Sequence, residues 1–371
     1  MTEAPTQHLE VNPPSYDGRG LVNLMAEIET RLGGHALSPG LDEDLAAAIP
    51  DGETFILVVI DGLGDSQLAH PLARNLMESR IGVLEAPFST TTTTSLSTIA
   101  TGVPPSRHGV LGHILRIPGI QPVVNTLKWR TTWGDSVDVD TSRFLPSPLL
   151  WERLRDVGVE PITIQPGEFE GTPLSRMLYR GCRFEPTWSP LDMVAATVGL
   201  ARPGRLILTY LPMIDVAAHV HGQRSSEYAE ALAVAAEVWL RIQIELPPDV
   251  VLIGTADHGH IDYPEGAKKL LRSAQWDDLE FWGDPRSLLV SGPMHTIEEL
   301  TKTVGATLVT GPELHRLWGP DDLGPLGERV PDAALLAAPG TLLLPRGFDK
   351  RLIGYHGGLS APERQIPLLV G

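Results

Sequence analysis

The sequence predicts an α/β fold, a three-layer sandwich with a mostly parallel central sheet flanked by helices. Continuous apolar segments such as TFILVVI (54–60) and RLILTYL (205–211) have the composition of parallel strands buried on both faces. These segments alternate along the chain with stretches of helical periodicity, the pattern of βαβ units. Charged and imidazole side chains follow several of the apolar segments directly, as expected where strands deliver residues to a site.

The individual elements follow from local composition. We expect a helix after the threonine-rich stretch 90–94, and further helices over 16–32, 65–80, 149–157, 192–200, 225–245 and 296–304. Strands are predicted over 54–60, 83–88, 161–165, 205–211, 249–256, 287–290, 307–309 and 366–370. Residues 114–147 have no clear period and are predicted to form a loop excursion with short strands.

The length of 371 residues fits one large domain with insertions. We predict a catalytic domain over residues 18–371, with a small α+β subdomain inserted at about 262–345. Residues 1–17 are predicted to be a flexible leader, because they are polar and rich in proline.

Composition excludes several classes of function. The formal net charge is −17, which disfavours nucleic-acid polymers and anionic membranes as partners. A single cysteine, Cys182, excludes an intramolecular disulfide and a thiolate metal cluster. The sequence has no apolar segment long enough to span a bilayer and no signal-peptide pattern. A cytoplasmic enzyme acting on a small molecule is therefore expected.

Five consecutive threonines (90–94) with serines on both sides are the most unusual stretch of the chain. Hydroxyl side chains are unfavourable inside a helix but favourable at its start, where they accept hydrogen bonds from free N–H groups. The apolar residues that follow the run predict a strand-to-helix turn, whose N–H groups form an anion site suited to phosphate. A threonine there can be a nucleophile if a neighbouring group lowers its pKa.

Potential metal ligands follow three separate predicted strands and one glycine-rich loop. Asp215 and His219 are four residues apart, so a helix places both on one face. Mixed oxygen and nitrogen ligands suit zinc and are tolerated by manganese or iron. Six ligands divide naturally between two divalent ions. The predicted ligands are Asp61, Asp215, His219, Asp257, His258 and His356.

The order of these motifs resembles the alkaline phosphatase superfamily and, more closely, its nucleotide pyrophosphatase/phosphodiesterase branch. The resemblance extends from residue 55 to residue 356, and its most specific parts are ATGVPPSRHG (100–109) and ADHG (256–259). It implies hydrolysis of phosphodiester or pyrophosphate bonds in a small-molecule substrate, with two divalent ions, zinc or manganese, and a covalent phosphothreonine.

By resemblance, the nucleophile lies nine residues before the threonine of the Thr101-Gly102 pair, at Thr92. Thr91 and Thr93, one position away, are the alternatives. The resemblance further implies two zinc sites. Asp215, His219 and His356 would hold one ion, and Asp61, Asp257 and His258 would hold the other with Thr92 as fourth ligand.

The chain departs from the branch at two positions. His113 replaces an asparagine that contacts a phosphate oxygen, and we expect it to bind substrate by donating one hydrogen bond. Thr93 stands where an aromatic residue usually helps to stack a nucleobase, which weakens the case for a nucleotide substrate. For His221 and His260 two interpretations stay open, namely contacts around the site and exposed loop histidines.

Two other functions stay open. The first is a phosphomonoesterase, or a phosphonate or sulfate ester hydrolase on the same core, for which the added cation could come from Arg107, Lys128 or Arg130. The second is a binding protein that keeps the fold without turnover.

Overall fold

The computed structural model describes residues 11–371, so residues 1–10 of the predicted leader lie outside the described residues. The α-helices are α1 (Leu21–Arg31), α2 (Glu43–Ala46), α3 (Arg74–Glu78), α4 (Thr92–Thr101), α5 (Pro105–His108), α6 (Leu150–Asp156), α7 (Pro173–Leu178), α8 (Pro190–Leu200), α9 (Met213–His221), α10 (Ser226–Glu245), α11 (Met294–Val304), α12 (Gly311–Arg316) and α13 (Ala361–Arg364).

The strands follow the same chain order. They are β1 (Thr54–Ile60), β2 (Arg80–Glu85), β3 (Ile114–Leu115), β4 (Val124–Asn125), β5 (Arg130–Thr131), β6 (Glu160–Pro166), β7 (Arg183–Thr187), β8 (Arg205–Leu211), β9 (Val251–Thr255), β10 (Ile261–Asp262), β11 (Lys268–Leu271), β12 (Glu280–Asp284), β13 (Ser287–Ser291), β14 (Thr307–Val309), β15 (Ala333–Leu336), β16 (Leu342–Pro345), β17 (Gly354–Tyr355) and β18 (Gln365–Val370).

The main sheet has seven strands in the order β2-β18-β9-β1-β8-β6-β7. Strands β9, β1, β8, β6 and β7 run parallel, and β18 pairs antiparallel with both of its neighbours. Every residue of the central strand β1 is buried, as its continuous apolar sequence requires. The mostly parallel sheet with flanking helices confirms the predicted fold class.

Two groups of helices flank this sheet. Helix α10 contacts α3, α8 and α9, whereas α4 contacts α1, α6 and α7. The second group surrounds the threonine-rich helix, whose residues are all buried. The apolar residues of the strands and of both helix groups form one continuous hydrophobic core.

A second seven-stranded sheet, β14-β15-β13-β12-β3-β4-β5, is antiparallel throughout. Strands β3 to β5 come from the segment 114–147, whose short strands were predicted, whereas the rest come from residues 280–336. The contact between β3 and β12 links Ile114 to Gly283 across the chain. The boundaries of an inserted subdomain remain a prediction.

Two local predictions are wrong. Residues 65–80 do not form one helix but two 3-10 turns, Asp65–Ala69 and Pro71–Ala73, followed by the short α3. Pro71 has no backbone N–H to continue a helix, which accounts for the interruption. The strand expected over 83–88 lies earlier, as β2, so residues 86–91 approach α4 as a loop.

None of the helices within residues 11–371 combines the length and apolar character needed to cross a bilayer.

Candidate active site

The carboxyl ends of three neighbouring parallel strands lie side by side. Ile60 of β1 is in register with Leu211 of β8, and Val59 with Thr255 of β9. Asp61, Asp215 and Asp257 follow these three ends, and backbone bonds tie them together: Asp61 N–H donates to the Leu211 carbonyl at 2.9 Å and Asp215 N–H to the Asp61 carbonyl at 3.1 Å. The topology of the sheet therefore gathers the three carboxylates.

Gly62 allows this close approach. Its φ is +77°, a left-handed conformation that glycine adopts without strain. A Cβ there would lie 2.9 Å from both Asp215 Cα and a ring carbon of His260, so only glycine fits.

The first candidate metal cluster consists of Asp61, Asp257 and His258, which are all buried. His258 Nε2 lies 3.5 Å from Asp61 Oδ1 and 3.3 Å from Asp257 Oδ2. Within residues 11–371, hydrogen bonds satisfy one oxygen of each carboxylate. Tyr210 O–H donates to Asp61 Oδ2, and the amides of Gly62 and His258 donate to Asp257 Oδ1, each at 3.0 Å.

The two remaining oxygens, Asp61 Oδ1 and Asp257 Oδ2, are buried without a hydrogen-bond partner in the described part of the chain. Such atoms are costly unless another group satisfies them. Because both face His258 Nε2, the donor set fits a divalent cation that accepts oxygen and nitrogen ligands.

The second candidate cluster surrounds Asp215. Its Oδ1 lies 2.6 Å from His260 Nε2, 3.4 Å from His219 Nε2 and 3.8 Å from His356 Nε2. One set of atoms within 4.8 Å of one another comes from Asp215, His258, His260 and His356. His219 lies outside that set, although its Nε2 is 3.1 Å from His356 Nε2.

Backbone carbonyls hold three of the imidazoles in one orientation. The Nδ1 atoms of His219, His258 and His356 lie 2.7, 3.2 and 2.8 Å from the carbonyl oxygens of Gly354, Gly259 and Thr90. A carbonyl can only accept, so each Nδ1 carries the hydrogen and each Nε2 keeps its lone pair. The Nε2 lone pairs of these three histidines are therefore available to the two clusters, the arrangement that metal-binding histidines usually have.

Burial and neighbouring charges shift the pKa values of the three carboxylates in different directions. Burial raises the pKa of Asp61 well above its usual value, and the Asp257 and Asp215 carboxylates raise it further. Burial also raises the pKa of Asp257. Asp215 differs: burial alone would raise its pKa, but the facing imidazoles of His219 and His260 outweigh burial and lower it well below the usual value. Burial lowers the pKa of His260 to about 4.

The threonine run starts α4 beside the first cluster. Thr91 has extended backbone before the helix, whose first turn begins at Thr92. Thr92 Oγ1 lies 3.1 Å from His258 Nε2. The Thr93 hydroxyl instead donates to the Gly112 carbonyl at 3.4 Å. Free N–H groups of this first helical turn, together with the dipole, favour an anion next to Thr92.

His113 lines a cavity of about 260 Å³, which Thr91 and Thr92 also line. Its Nδ1 is 2.7 Å from Asp284 Oδ1. Of the three cations named above, Lys128 lines this cavity, whereas Arg107 binds the Leu37 carbonyl and Arg130 the Gly134 carbonyl, both in exposed contacts.

The structure places His260 and His221, the two histidines with open interpretations, in different surroundings. His260 is 1 % exposed and bonded to Asp215, so its interpretation as an exposed loop residue is wrong. The His221 side chain is 44 % exposed and lies 3.9 Å from Glu227, away from both clusters.

Sequence reasoning missed the residues that support the ligands. Tyr210, Thr90 and Asp284 contact Asp61, His356 and His113 respectively, from positions that are far away in the sequence. The TYL end of the β8 segment was the only local signal for any of these three, since tyrosine is rarely placed at a buried strand end without a hydrogen-bond partner.

Comparison with known proteins agrees with this geometry. The sequence model of the type I phosphodiesterase / nucleotide pyrophosphatase family matches residues 55–305. The chain belongs to this family. The match includes five of the six predicted metal ligands, Thr92 and His113, whereas His356 lies beyond it. A search of curated protein sequences gave no match.

Solved structures with the same fold include two family members and a phosphonate hydrolase. Human ectonucleotide pyrophosphatase / phosphodiesterase 5 is 18% identical to this chain, with a TM-score of 0.64. The murine protein is 17% identical, with a TM-score of 0.62. Each comparison covers 85% of this chain and 87% of the chain in the solved structure. Phosphonoacetate hydrolase from Sinorhizobium meliloti 1021, in complex with phosphonoformate, is 17% identical with a TM-score of 0.63, covering 87% of this chain and 91% of that chain.

At these identities the structures show a shared fold, which is that of the alkaline phosphatase superfamily. Together with the family assignment they identify the chain as a phosphoester hydrolase of the phosphodiesterase / nucleotide pyrophosphatase type.

Proposed function

We propose that this hydrolase cleaves phosphodiester or pyrophosphate bonds in a small molecule, through a covalent phosphothreonine on Thr92. The observation that carries the proposal is the 3.1 Å contact of Thr92 Oγ1 with His258 Nε2, beside two unsatisfied carboxylate oxygens and at a helix start. The Thr92 hydroxyl, the lone pairs of His258 and the carboxylates, and the N–H groups at the start of α4 lie together there, as nucleophilic attack on phosphorus requires.

The chain offers ligands for two divalent ions. Asp61, Asp257 and His258 would hold one of them together with Thr92. Asp215, His219 and His356 would hold the other, and His260 supports Asp215 through its 2.6 Å contact. The imidazoles favour zinc, and manganese is the alternative.

When bound, two divalent ions lower the pKa of a coordinated hydroxyl and neutralise phosphate oxygens. Three carboxylates carry about −3 and two divalent ions +4, so the loaded pocket has about +1 and accepts an anion although the protein is acidic.

The protein's own groups then have defined tasks. Thr92 Oγ attacks phosphorus opposite the leaving oxygen, forming the Oγ–P bond as the P–O bond of the leaving group breaks, and the hydroxyl proton ends on the departing oxygen. The N–H groups at the start of α4 donate to the nonbridging oxygens. Water then attacks phosphorus and breaks the Oγ–P bond, which returns the Thr92 hydroxyl and releases the phosphoryl product.

The test compares hydrolysis of bis-p-nitrophenyl phosphate and p-nitrophenyl phosphate by wild type, Thr92→Ala and Thr93→Ala, each loaded with zinc. We expect wild type to hydrolyse the diester, Thr92→Ala to lose this activity and Thr93→Ala to keep it. Activity that survives in Thr92→Ala but disappears in Thr93→Ala would move the nucleophile by one position. Activity in both variants would overturn a phosphothreonine on Thr92 or Thr93, and Thr91→Ala would then test the remaining position.

The cytoplasmic location remains a proposal from composition. The phosphomonoesterase alternative is supported by one observation, the presence of Lys128 and His113 in the lining of the cavity.

A further inference from the structure

A buried carboxylate, Asp284, lines the same cavity as Thr92 and three of the predicted metal ligands. This residue ends β12 and is 1 % exposed. The Ser89 hydroxyl donates to its Oδ2, and its Oδ1 faces His113 Nδ1 at 2.7 Å. Both carboxylate oxygens of Asp284 therefore have a hydrogen-bond partner.

Two glycines leave room for this carboxylate. A Cβ on Gly357, whose φ is +109°, would lie 2.5 Å from Asp284 Cβ, and a Cβ on Gly112 would lie 2.9 Å from its Oδ2. A side chain at either position would therefore collide with Asp284. Both glycines are required for the carboxylate to lie where it does.

The buried carboxylate in turn fixes the imidazole. Because the Asp284 carboxylate accepts, His113 Nδ1 carries the hydrogen and the free nitrogen is Nε2. Nε2 makes no hydrogen bond within residues 11–371, and the His113 side chain is 21% exposed where it lines the cavity with Thr92. The edge of the ring also packs on Phe348, with the ring centroids 6.2 Å apart.

A proton on Nε2 would make His113 a cation whose charge Asp284 offsets. That cation would donate a charge-assisted hydrogen bond to a phosphoryl oxygen in the cavity, and such bonds are about twice as strong as neutral ones. The other charged or titratable groups lining the same cavity are Lys128, Asp215, His219, Asp284, Asp349, Tyr355 and His356.

A dianionic terminal phosphoryl group benefits from this donor more than a diester does. A diester has one negative charge shared by two nonbridging oxygens, whereas a monoester has two charges shared by three. We propose that the Asp284–His113 pair is a specificity determinant that lets the site accept phosphomonoesters in addition to diesters. His113 contacts the substrate, and Asp284 is a positioning residue. The inference rests on the proposed function, since it places a phosphoryl group next to Thr92.

The experiment measures kcat/KM of the zinc-loaded protein for p-nitrophenyl phosphate and for bis-p-nitrophenyl phosphate. The variants are His113→Asn and Asp284→Asn. Their matched controls, His295→Asn and Asp138→Asn, make the same chemical changes at exposed positions. Metal content and melting temperature of every protein are recorded.

We expect the ratio of monoester to diester activity to fall about tenfold in His113→Asn, because a charge-assisted bond becomes a neutral one. Asp284→Asn should change the ratio in the same direction, and the controls should keep the wild-type ratio. A ratio that is unchanged in His113→Asn, or an equal loss on both substrates, would overturn the pair as a specificity determinant.

Binding of inorganic phosphate to the zinc-loaded protein, followed by calorimetry, gives a second readout without turnover. We expect His113→Asn to bind phosphate about tenfold more weakly than wild type. Equal affinities would overturn the inference even if wild type hydrolysed neither ester, whereas that lack of turnover by itself would count only against the proposed function.

Discussion

Two sides of the site are built in different ways: the metal-cluster wall, formed by the clusters around Asp61 and Asp215, and the second-sheet wall, formed by His113 and Asp284. On the metal-cluster wall, Asp61 and Asp257 lie just after β1 and β9, and the sheet brings them together. On the second-sheet wall, His113 and Asp284 meet across 171 residues through strands only two and five residues long. In the proposed mechanism the first wall supplies the groups on which hydrolysis depends. The second wall is proposed to contact the substrate, so we expect it to select among substrates.

The largest effect should come from the metal-cluster wall. Asp257→Asn removes the charge of a fully buried ligand and should lower kcat/KM by about 10³-fold, because several kcal/mol of charge stabilisation are lost. Asp249→Asn is the matched control, an exposed carboxylate just before the same strand, and should keep full activity. If Asp257→Asn changed only the ratio of monoester to diester activity, the distinction between the walls would fail.

The next largest effect should be on metal affinity, through a residue that holds a metal ligand in place. Tyr210→Phe removes the hydroxyl that donates to Asp61 Oδ2, so we expect metal affinity to fall by about 10- to 100-fold. Competition with a chelator measures this affinity directly. Tyr228→Phe removes a buried hydroxyl that has no hydrogen-bond partner in the described part of the chain, and its metal affinity should equal that of wild type. Equal affinities for all three proteins would show that Asp61 needs no support.

A smaller effect, on the pH dependence of folding stability, is expected from His108, which lies on the segment joining the two walls. It accepts from Val110 N–H at Nδ1, 3.1 Å away, and its Nε2 lies 3.0 Å from Thr98 Oγ1. Burial lowers its pKa from 6.5 to about 3. The unfolded chain therefore binds a proton as the pH falls below about 6.5, whereas the folded protein does not bind it until the pH approaches 3, so stability falls across this window.

This loss should be about 1.4 kcal/mol between pH 7.5 and pH 5.5. Denaturant unfolding at the two values measures it, and His108→Gln should lose less stability than wild type by about that amount. His295→Gln, an exposed control, should behave as wild type does. An unchanged pH dependence in His108→Gln would mean that His108 does not stay neutral in the folded protein.

The difference between the walls also explains what the sequence could predict. Residues 54–60 and 205–211 were predicted as strands with their observed bounds, because the signal for a buried parallel strand is local. The position of Asp61 and Asp257 at one sheet edge follows from the same topology. The start of α4 at Thr92 agrees with the helix predicted after the threonine run, although a loop over residues 86–91, and not a strand, leads into it.

The second-sheet wall could not be predicted in this way. Strands β3 and β4 have two residues each, too few to show a period. Strand β3 pairs with β12, far along the chain, and β4 pairs with β3. Asp284 and Tyr210 have no motif of their own, since their roles arise only from contacts with His113 and Asp61. The break at Pro71 was visible in the sequence, but the periodicity around it favoured a single helix.

The most direct test of the account counts the metal ions in the purified, zinc-loaded protein by elemental analysis, beside Asp257→Asn and Asp215→Asn. We predict two ions per chain in wild type and one in each variant, because each substitution removes a carboxylate from a different cluster. An active wild-type protein with one ion or none per chain, or variants that both retain two, would contradict the two-cluster site.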